Sequence, residues 1–262
     1  MTRGFVDTPD GQIHYRTAGS GRPVLLLHQT PRSSDEYRDV LPILGREFRA
    51  VAMDTIGYGD SHKPRGTCTI EDYADGARRF LDGLGIARTM VVGHHTGAVV
   101  ALELAAAHPD RVERLVLSAS PFVDAEDRER RKTRPPIDEV RLKPDGSHLA
   151  ELWQRRLSFY PKDRPDLLTR FVIDALRAGE KVEEGHRAVG AYRMEDRIGR
   201  IRCPTLVVCG TEDPFSYPRM ELVARRIPGS RAVPIPGGTV AMVDQMPEAF
   251  AAAILEFLRG GA

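Results

Sequence analysis

The sequence has almost no excess of charge of either sign, because 38 lysine and arginine side chains face 37 aspartates and glutamates and leave a net charge of +1. Long-range attraction for a polyanion is therefore absent, and nucleic acid is excluded as an expected partner. No run approaches the roughly 20 apolar residues that a membrane-spanning helix requires. The first residues, 1–7, also lack the basic and then apolar pattern of a signal peptide. We therefore expect a cytoplasmic protein that does not bind a membrane.

Cysteine is scarce as well, with Cys68, Cys203 and Cys209 scattered along the chain. An odd, scattered set predicts reduced thiols in a core rather than a disulfide framework. Metal-ligand spacings such as His-x-x-x-His do not occur. We expect neither a metal nor a cofactor, and the expected partner is a small-molecule substrate. A homodimer is left open.

Short apolar runs alternate with longer helical patterns along most of the 262 residues. This alternation predicts an α/β fold whose mainly parallel sheet is covered by helices. Seven runs read as strands and five stretches as helices. The strands are 12–16, 24–28, 50–53, 89–92, 115–118, 205–209 and 231–234, and the helices are 34–44, 70–84, 97–107, 219–225 and 247–258.

The alternation fails between the strands at 115–118 and 205–209. A charged segment begins at Asp124, and amphipathic helical patterns without strands follow it. A helical insertion between two strands of one sheet cannot join that sheet, and long connections in compact domains are usually functional lids. We predict a core of residues 1–121 and 199–262 with a helical cap at 122–198. A solvated loop is the alternative for the charged start of this segment.

One short motif carries the strongest signal. Gly93-His94-His95-Thr96-Gly97 separates the strand at 89–92 from an apolar helical run. Glycines two residues on either side of His95 predict a very tight strand-to-helix turn with a strained residue at its centre.

This turn resembles the nucleophile turn of the α/β-hydrolase superfamily, and three further segments are similar to that family. Residues 24–31 resemble its oxyanion loop, 54–61 the loop after the next strand, and 206–214 the strand and loop that carry its catalytic acid, here at Asp213. The resemblance implies a doubly wound sheet of the α/β-hydrolase type with a helical cap, and a hydrolase activity.

Three departures from the family matter. His95 stands where the family has its nucleophile, and Gln29 replaces a glycine beside the oxyanion hole. Residues 236–242 hold no histidine, and Val240 occupies the position of the family's catalytic histidine. Residue identity therefore excludes a standard Ser-His-Asp triad.

A histidine at this turn can extend into the space of the missing histidine and meet Asp213 directly. We predict a His95–Asp213 dyad, in which the carboxylate fixes the tautomer and the other ring nitrogen acts as general base. Direct attack as a nucleophile is the second alternative, and a relic without catalysis is the third. The backbone N–H groups of Thr30 and Thr96 are the expected oxyanion donors.

The cap segment suggests the rest of a substrate site. His148 begins a predicted helix whose buried face includes Trp153, and Tyr160 follows it. We expect Gln29, His148, Trp153 and Tyr160 to bind substrate. In the alternative interpretation, Trp153 and Tyr160 pack inside the cap and His148 only begins a helix. By contrast, His94 and His28 are interpreted as structural.

The leading functional hypothesis is hydrolysis of a small carbonyl compound: an ester, lactone, thioester or amide. A cofactor-free lyase, isomerase or decarboxylase would use the same base and anion hole. A ligand-binding protein without catalysis is the third hypothesis. Fold membership alone does not separate them.

Overall fold

The computed structural model describes residues 1–260, and an eight-stranded sheet lies at its centre. The strands are β1 (Thr2–Thr8), β2 (Gly11–Ala18), β3 (Pro23–Leu27), β4 (Arg49–Met53), β5 (Thr89–His94), β6 (Val112–Ser118), β7 (Thr205–Gly210) and β8 (Arg231–Ile235). Their spatial order is β1-β2-β4-β3-β5-β6-β7-β8.

From β4 to β8 in the sheet, every neighbouring pair of strands is parallel, and only the pairs β1–β2 and β2–β4 at one edge are antiparallel. The predicted α/β class with a mainly parallel sheet is confirmed. All six residues of β5 and all six of β7 are buried, as expected of strands covered on both faces. The carboxyl ends of these strands therefore meet at one edge, where a site can form.

The helices lie on both faces of the sheet and in the connection between β6 and β7. They are α1 (Leu41–Leu44), α2 (Ile70–Gly83), α3 (Thr96–Ala107), α4 (Ala125–Lys132), α5 (Ser147–Arg156), α6 (Pro165–Ala178), α7 (Glu184–Ala191), α8 (Met220–Arg225), α9 (Met242–Gln245) and α10 (Pro247–Arg259). Two apolar cores result, one on each face of the sheet. Nearly every side chain of α3 is buried, so this helix is held rigidly behind the sheet edge.

Two sequence expectations differ from the structure. The helix predicted at 34–44 is divided into a 3-10 turn, Ser34–Tyr37, and the short α1. Pro42 accounts for the break, because proline lacks an N–H and its ring clashes with the carbonyl four residues earlier. Strand β1 is absent from the predicted set because this antiparallel edge strand is mostly exposed and lacks an apolar run.

Between β6 and β7 the chain forms four α-helices, α4 to α7, with 3-10 turns and no strand in residues 119–204. We call this connection, at 122–198, the helical insertion; its division from the core as a separate lid stays a prediction. Within residues 1–260, no helix combines the length and apolar character needed to cross a lipid bilayer.

Candidate active site

The turn between β5 and α3 places His95 at the sheet edge in a strained conformation. Its φ of 48° and ψ of −114° lie outside the regions that L-residues favour, at a cost of about 1–3 kcal/mol. Close packing imposes this turn: a Cβ at Gly93 would overlap the Gly97 carbonyl, and one at Gly97 would overlap the Leu27 carbonyl. The His95 N–H donates to the Ser118 carbonyl, 2.9 Å away on β6. The sheet therefore holds His95 in a fixed position.

His95 lies beside Asp213, which follows β7. The Nε2 atom of His95 is 2.8 Å from Oδ2 of Asp213. The two atoms are at ion-pair distance, and neither has another hydrogen-bond partner among the described residues. The predicted proximity of the two side chains is present in the structure, whereas their catalytic role stays a prediction.

The loop after β7 keeps the Asp213 carboxylate in place and ionised. Its Oδ1 accepts hydrogen bonds from the N–H groups of Phe215, at 2.9 Å, and Ser216, at 3.0 Å. Burial alone would raise the pKa of Asp213, but the His95 imidazole and these two donors together hold that pKa below its usual value. Asp213 is thus a negative charge fixed against the ring of His95.

His94 is fully buried, and its two hydrogen-bond partners indicate a structural residue. Its Nδ1 lies 2.9 Å from the Ser118 hydroxyl, and its Nε2 lies 3.1 Å from the Val240 carbonyl. Burial, followed by repulsion from the neighbouring His95, lowers the pKa of His94 to about 3. The ring therefore stays neutral at physiological pH, and it connects β5 to the segment in which Val240 replaces a histidine.

Thr30 and Thr96 meet on one side of His95. Their hydroxyl oxygens are 2.9 Å apart. Thr96 is the first residue of α3, where backbone N–H groups have no intrahelical acceptor. Neither its N–H nor that of Thr30 donates to a group within residues 1–260. Two backbone donors are thus available next to the imidazole.

Gln29 and His28 shape the loop that carries Thr30. The Gln29 backbone N–H and side-chain amide both donate to the buried Glu36 carboxylate, at 2.9 and 2.6 Å. His28 Nε2 accepts from the Thr55 N–H at 2.9 Å, and its Nδ1 lies 2.8 Å from the Gln29 carbonyl. The Gln29 side chain is therefore turned toward Glu36 and held there.

A cavity of about 90 Å³, which we call the inner cavity, opens beside His95. The core supplies seven of its lining residues, and the helical insertion supplies the other six. The lining residues are Gln29, Thr30, His95, Thr96, Pro121, Arg131, Arg134, Ile137, Arg156, His186, Val189, Phe215 and Val240.

The three insertion residues expected to bind substrate do not line this cavity. His148 is at the start of α5 on the protein surface, where its Nδ1 accepts from the Lys143 N–H at 3.2 Å. Trp153 packs against the core, and Tyr160 is buried against Phe171 with ring centroids 5.7 Å apart. These positions agree with the alternative interpretation, in which the two aromatic residues serve for packing and His148 begins a helix.

Sequence reasoning missed the polar residues that do form the insertion wall: Arg131, Arg134, Arg156 and His186. His186 Nε2 lies 2.8 Å from Asp138, which also forms an ion pair with Arg156. These residues come from three separate segments of the insertion, and no local pattern distinguishes them from its many exposed charges. Only the packing of the insertion helices brings them to one wall.

Asp138, Glu183 and His186 have ligand-type atoms within 4.8 Å of one another. The geometry does not favour a cation, since the Arg156 guanidinium already neutralises Asp138. Glu183 accepts from the N–H groups of Ile137 and Asp138 at 3.0 and 2.9 Å. Each of the three side chains therefore already has an ion-pair or hydrogen-bond partner within the protein.

Buried contacts fix the insertion to the loop that carries Thr30. Arg32, fully buried, donates from Nε to Asp174 of α6 at 3.0 Å, and the Ser33 hydroxyl donates to the same carboxylate at 3.0 Å. On α7, Gly185 lies so close to Thr30 that a Cβ would overlap the threonine side chain. The position of Thr30 therefore depends on α6 and α7.

The chain matches the family model of the α/β hydrolase fold over residues 22–239, and it belongs to that family. It is 30% identical to a pimeloyl-[acyl-carrier protein] methyl ester esterase of Neisseria meningitidis over 92% of this chain and 94% of that protein. A local match to a soluble epoxide hydrolase of a Corynebacterium strain is 41% identical over 106 residues, and it spans 40% of this chain but only 37% of that protein. A solved esterase of Thermogutta terrifontis, with malate bound, superposes with a TM-score of 0.80 and 29% identity over 99% and 98% of the two chains.

Proposed function

We propose that this protein hydrolyses a small carbonyl compound, an ester, lactone, thioester or amide, with His95 as general base. The observation that carries the proposal is the 2.8 Å separation between His95 and the buried Asp213 beside the inner cavity. A strained turn holds the ring there, and strain of this kind clusters at functional sites. The curated relatives named above are hydrolases, which supports the same class of reaction.

The two ring nitrogens of His95 take different roles in this proposal. Nε2 lies against the ionised Asp213, so that carboxylate stabilises the tautomer with its proton on Nε2. Nδ1 then carries the lone pair, and it makes no hydrogen bond to any residue in the described range. Nδ1 is therefore the base, and a water molecule within about 3 Å of it is the proton donor.

The proposed reaction has two steps. Water adds to the substrate carbonyl as it transfers one proton to His95 Nδ1, and the carbonyl π electrons move to the oxygen. The Thr30 and Thr96 N–H groups stabilise that oxyanion, each contributing about 3–4 kcal/mol. When the oxyanion collapses, the bond to the leaving group breaks and the imidazolium returns its proton to that group. The products are the acid and the alcohol, thiol or amine, and the protein is unchanged.

One observation favours the second candidate, a cofactor-free lyase or isomerase. His186, paired with Asp138, lines the same cavity as His95, so two histidines are available for proton transfer. Reaction in water enriched in oxygen-18 separates the two classes, because hydrolysis places the label in the carboxylate product whereas elimination or isomerisation does not.

The first prediction tests the carboxylate of the pair. In a screen of methyl esters, lactones and thioesters, Asp213→Asn should lower kcat by at least about 10-fold, because an amide can hold the imidazole in the wrong tautomer. Glu212→Gln is the matched control: it removes a charge one residue away, on an exposed side chain, and should leave kcat unchanged. Equal activity of Asp213→Asn and Glu212→Gln would remove Asp213 from the mechanism.

The pH profile of kcat/KM is part of the same measurement. The pKa of Asp213 lies below its usual value, so this carboxylate stays ionised throughout the range in which a histidine titrates. Only the protonation of the histidine base then lowers kcat/KM at acid pH, so kcat/KM should rise with pH in a single limb. A profile without that limb would contradict a histidine base.

The second prediction concerns serine-directed reagents. The described lining of the inner cavity contains neither serine nor cysteine, so a fluorophosphonate probe should not label the protein stoichiometrically. Intact mass spectrometry after incubation measures the labelling, and a serine esterase of this fold treated in parallel is the control. Complete labelling at a single serine would show that the nucleophile lies elsewhere.

A further inference from the structure

A second, larger cavity adjoins the inner cavity. It has a volume of about 550 Å³ and shares four lining residues with the inner cavity, namely Arg131, Arg134, Ile137 and His186. We call it the outer cavity. Because both spaces are bounded by the same two arginines, a molecule whose reacting carbonyl lies beside His95 can extend past these side chains.

The basic residues of this region fall into two groups. Four have an acidic partner: Arg128 with Glu195, Lys132 with Glu129, Arg156 with Asp138, and Arg187 with Glu139. By contrast, the Arg131 and Arg134 guanidinium groups form no ion pair and donate no hydrogen bond to a residue in the range 1–260. No acidic side chain of the described chain lines the inner cavity.

The unpaired charge of Arg131 has a cost, whereas Arg134 is exposed to solvent. Arg131 is half-buried, and a Cβ at Gly190 of α7 would lie 3.6 Å from its Cδ, so its stem lies against that helix. Burial and then the nearby Arg134 lower the pKa of Arg131 below its usual value. An anion bound to the two guanidinium groups would offset this cost and screen their mutual repulsion.

We propose that Arg131 and Arg134 bind a carboxylate of the substrate, so that the substrate is an ester or related compound with a free carboxylate at a distance from its reacting carbonyl. This inference rests on the proposed function. Arginine presents a planar set of donors that matches a carboxylate bidentately. The buried Glu183 also lines the outer cavity, and its charge leaves a balance that suits a monoanion better than a phosphate dianion.

A pair of esters that differ only in the carboxylate tests the proposal by turnover. Monomethyl glutarate has the free carboxylate, and dimethyl glutarate does not. The wild-type protein should prefer the monoester, and the double variant Arg131→Gln/Arg134→Gln should lose about 100-fold in kcat/KM for it, mainly through KM, because a charge-assisted contact is removed. Its kcat/KM for dimethyl glutarate should change little. Arg187→Gln, which removes an exposed and paired arginine of the same cavity, is the matched control.

A binding measurement keeps this inference separable from the proposed function. Glutarate should raise the Tm of the wild-type protein, because a ligand that binds only the folded state stabilises it. Glutaramide, the uncharged analogue, should not, and the double variant should lose the glutarate effect. If this pattern holds while no ester, lactone or thioester of the screen is hydrolysed, the carboxylate site stands and the proposed function fails. If dimethyl glutarate is hydrolysed but glutarate does not bind, or only inorganic phosphate binds, the carboxylate site is overturned.

Discussion

Replacing His95 with alanine should lower turnover by about 100-fold or more, the contribution expected of a general base. The variant should remain folded, because alanine removes an imidazole that borders a cavity while leaving the backbone contacts of the turn in place. Steady-state kinetics with the best ester from the screen measures the loss, and thermal unfolding checks the fold. His108→Ala, at the far end of α3, removes a histidine from the same helix and is the matched control.

Two other substitutions at this position sharpen the interpretation. His95→Ser should not restore activity, because Val240 stands where a triad would need its histidine and cannot activate a serine. His95→Gly should be inactive and more stable than His95→Ala, since glycine adopts a φ of 48° without steric penalty. Full activity of His95→Ala would show that the histidine has no catalytic role. Lost binding of a ligand in the absence of any turnover would favour a protein without catalysis.

Replacing Asp174 with alanine should lower the free energy of unfolding by about 3 kcal/mol, the lower end of the range for breaking a buried ion pair. Arg32 is fully buried and would keep Asp244 as its partner, so the loss should not reach the upper end. Burial disfavours the charge, but Asp244, Tyr160 and Asp174 together hold the pKa of Arg32 above its usual value. The guanidinium therefore stays charged. Urea denaturation at constant pH measures the change.

Asp166→Ala is the matched control for this prediction. Asp166 lies on the same helix, α6, and its ion pair with Arg164 is exposed. Exposed pairs contribute about 0–1 kcal/mol, so this variant should unfold at nearly the wild-type denaturant concentration. If Asp174→Ala were as mild as Asp166→Ala, Asp244 alone would compensate Arg32, and α6 would not depend on this contact.

The sheet and the turn at His95 could be predicted because their signals are local. Continuous aliphatic runs identify buried parallel strands, and Gly93 and Gly97 stand at the two positions where the structure has no room for a Cβ. The proximity of His95 and Asp213 also follows, since both residues come directly after parallel strands whose carboxyl ends share one edge. Strand β1 has no such signal, because an exposed edge strand does not need an apolar run.

The insertion side of the cavity could not be predicted in the same way. Which of its many charges face inward depends on how α4 and α7 pack, and amphipathic patterns report only which side chains are apolar. Tyr160 and Trp153 are aromatic and therefore fit a substrate site, but large aromatic residues also fill an apolar core, as these two do. Arg131 and Arg134 had no distinguishing pattern in a segment rich in arginine.

The contact between Gly185 and Thr30 joins a proposed oxyanion donor to the helix that forms part of the wall of the inner cavity. One backbone donor beside His95 belongs to a residue whose side chain rests on α7, and α7 also carries His186 on the cavity wall. In the proposed reaction, a substitution that shifts α7 would therefore move an oxyanion donor and a wall of the inner cavity together. Such a variant should lower kcat as well as raise KM.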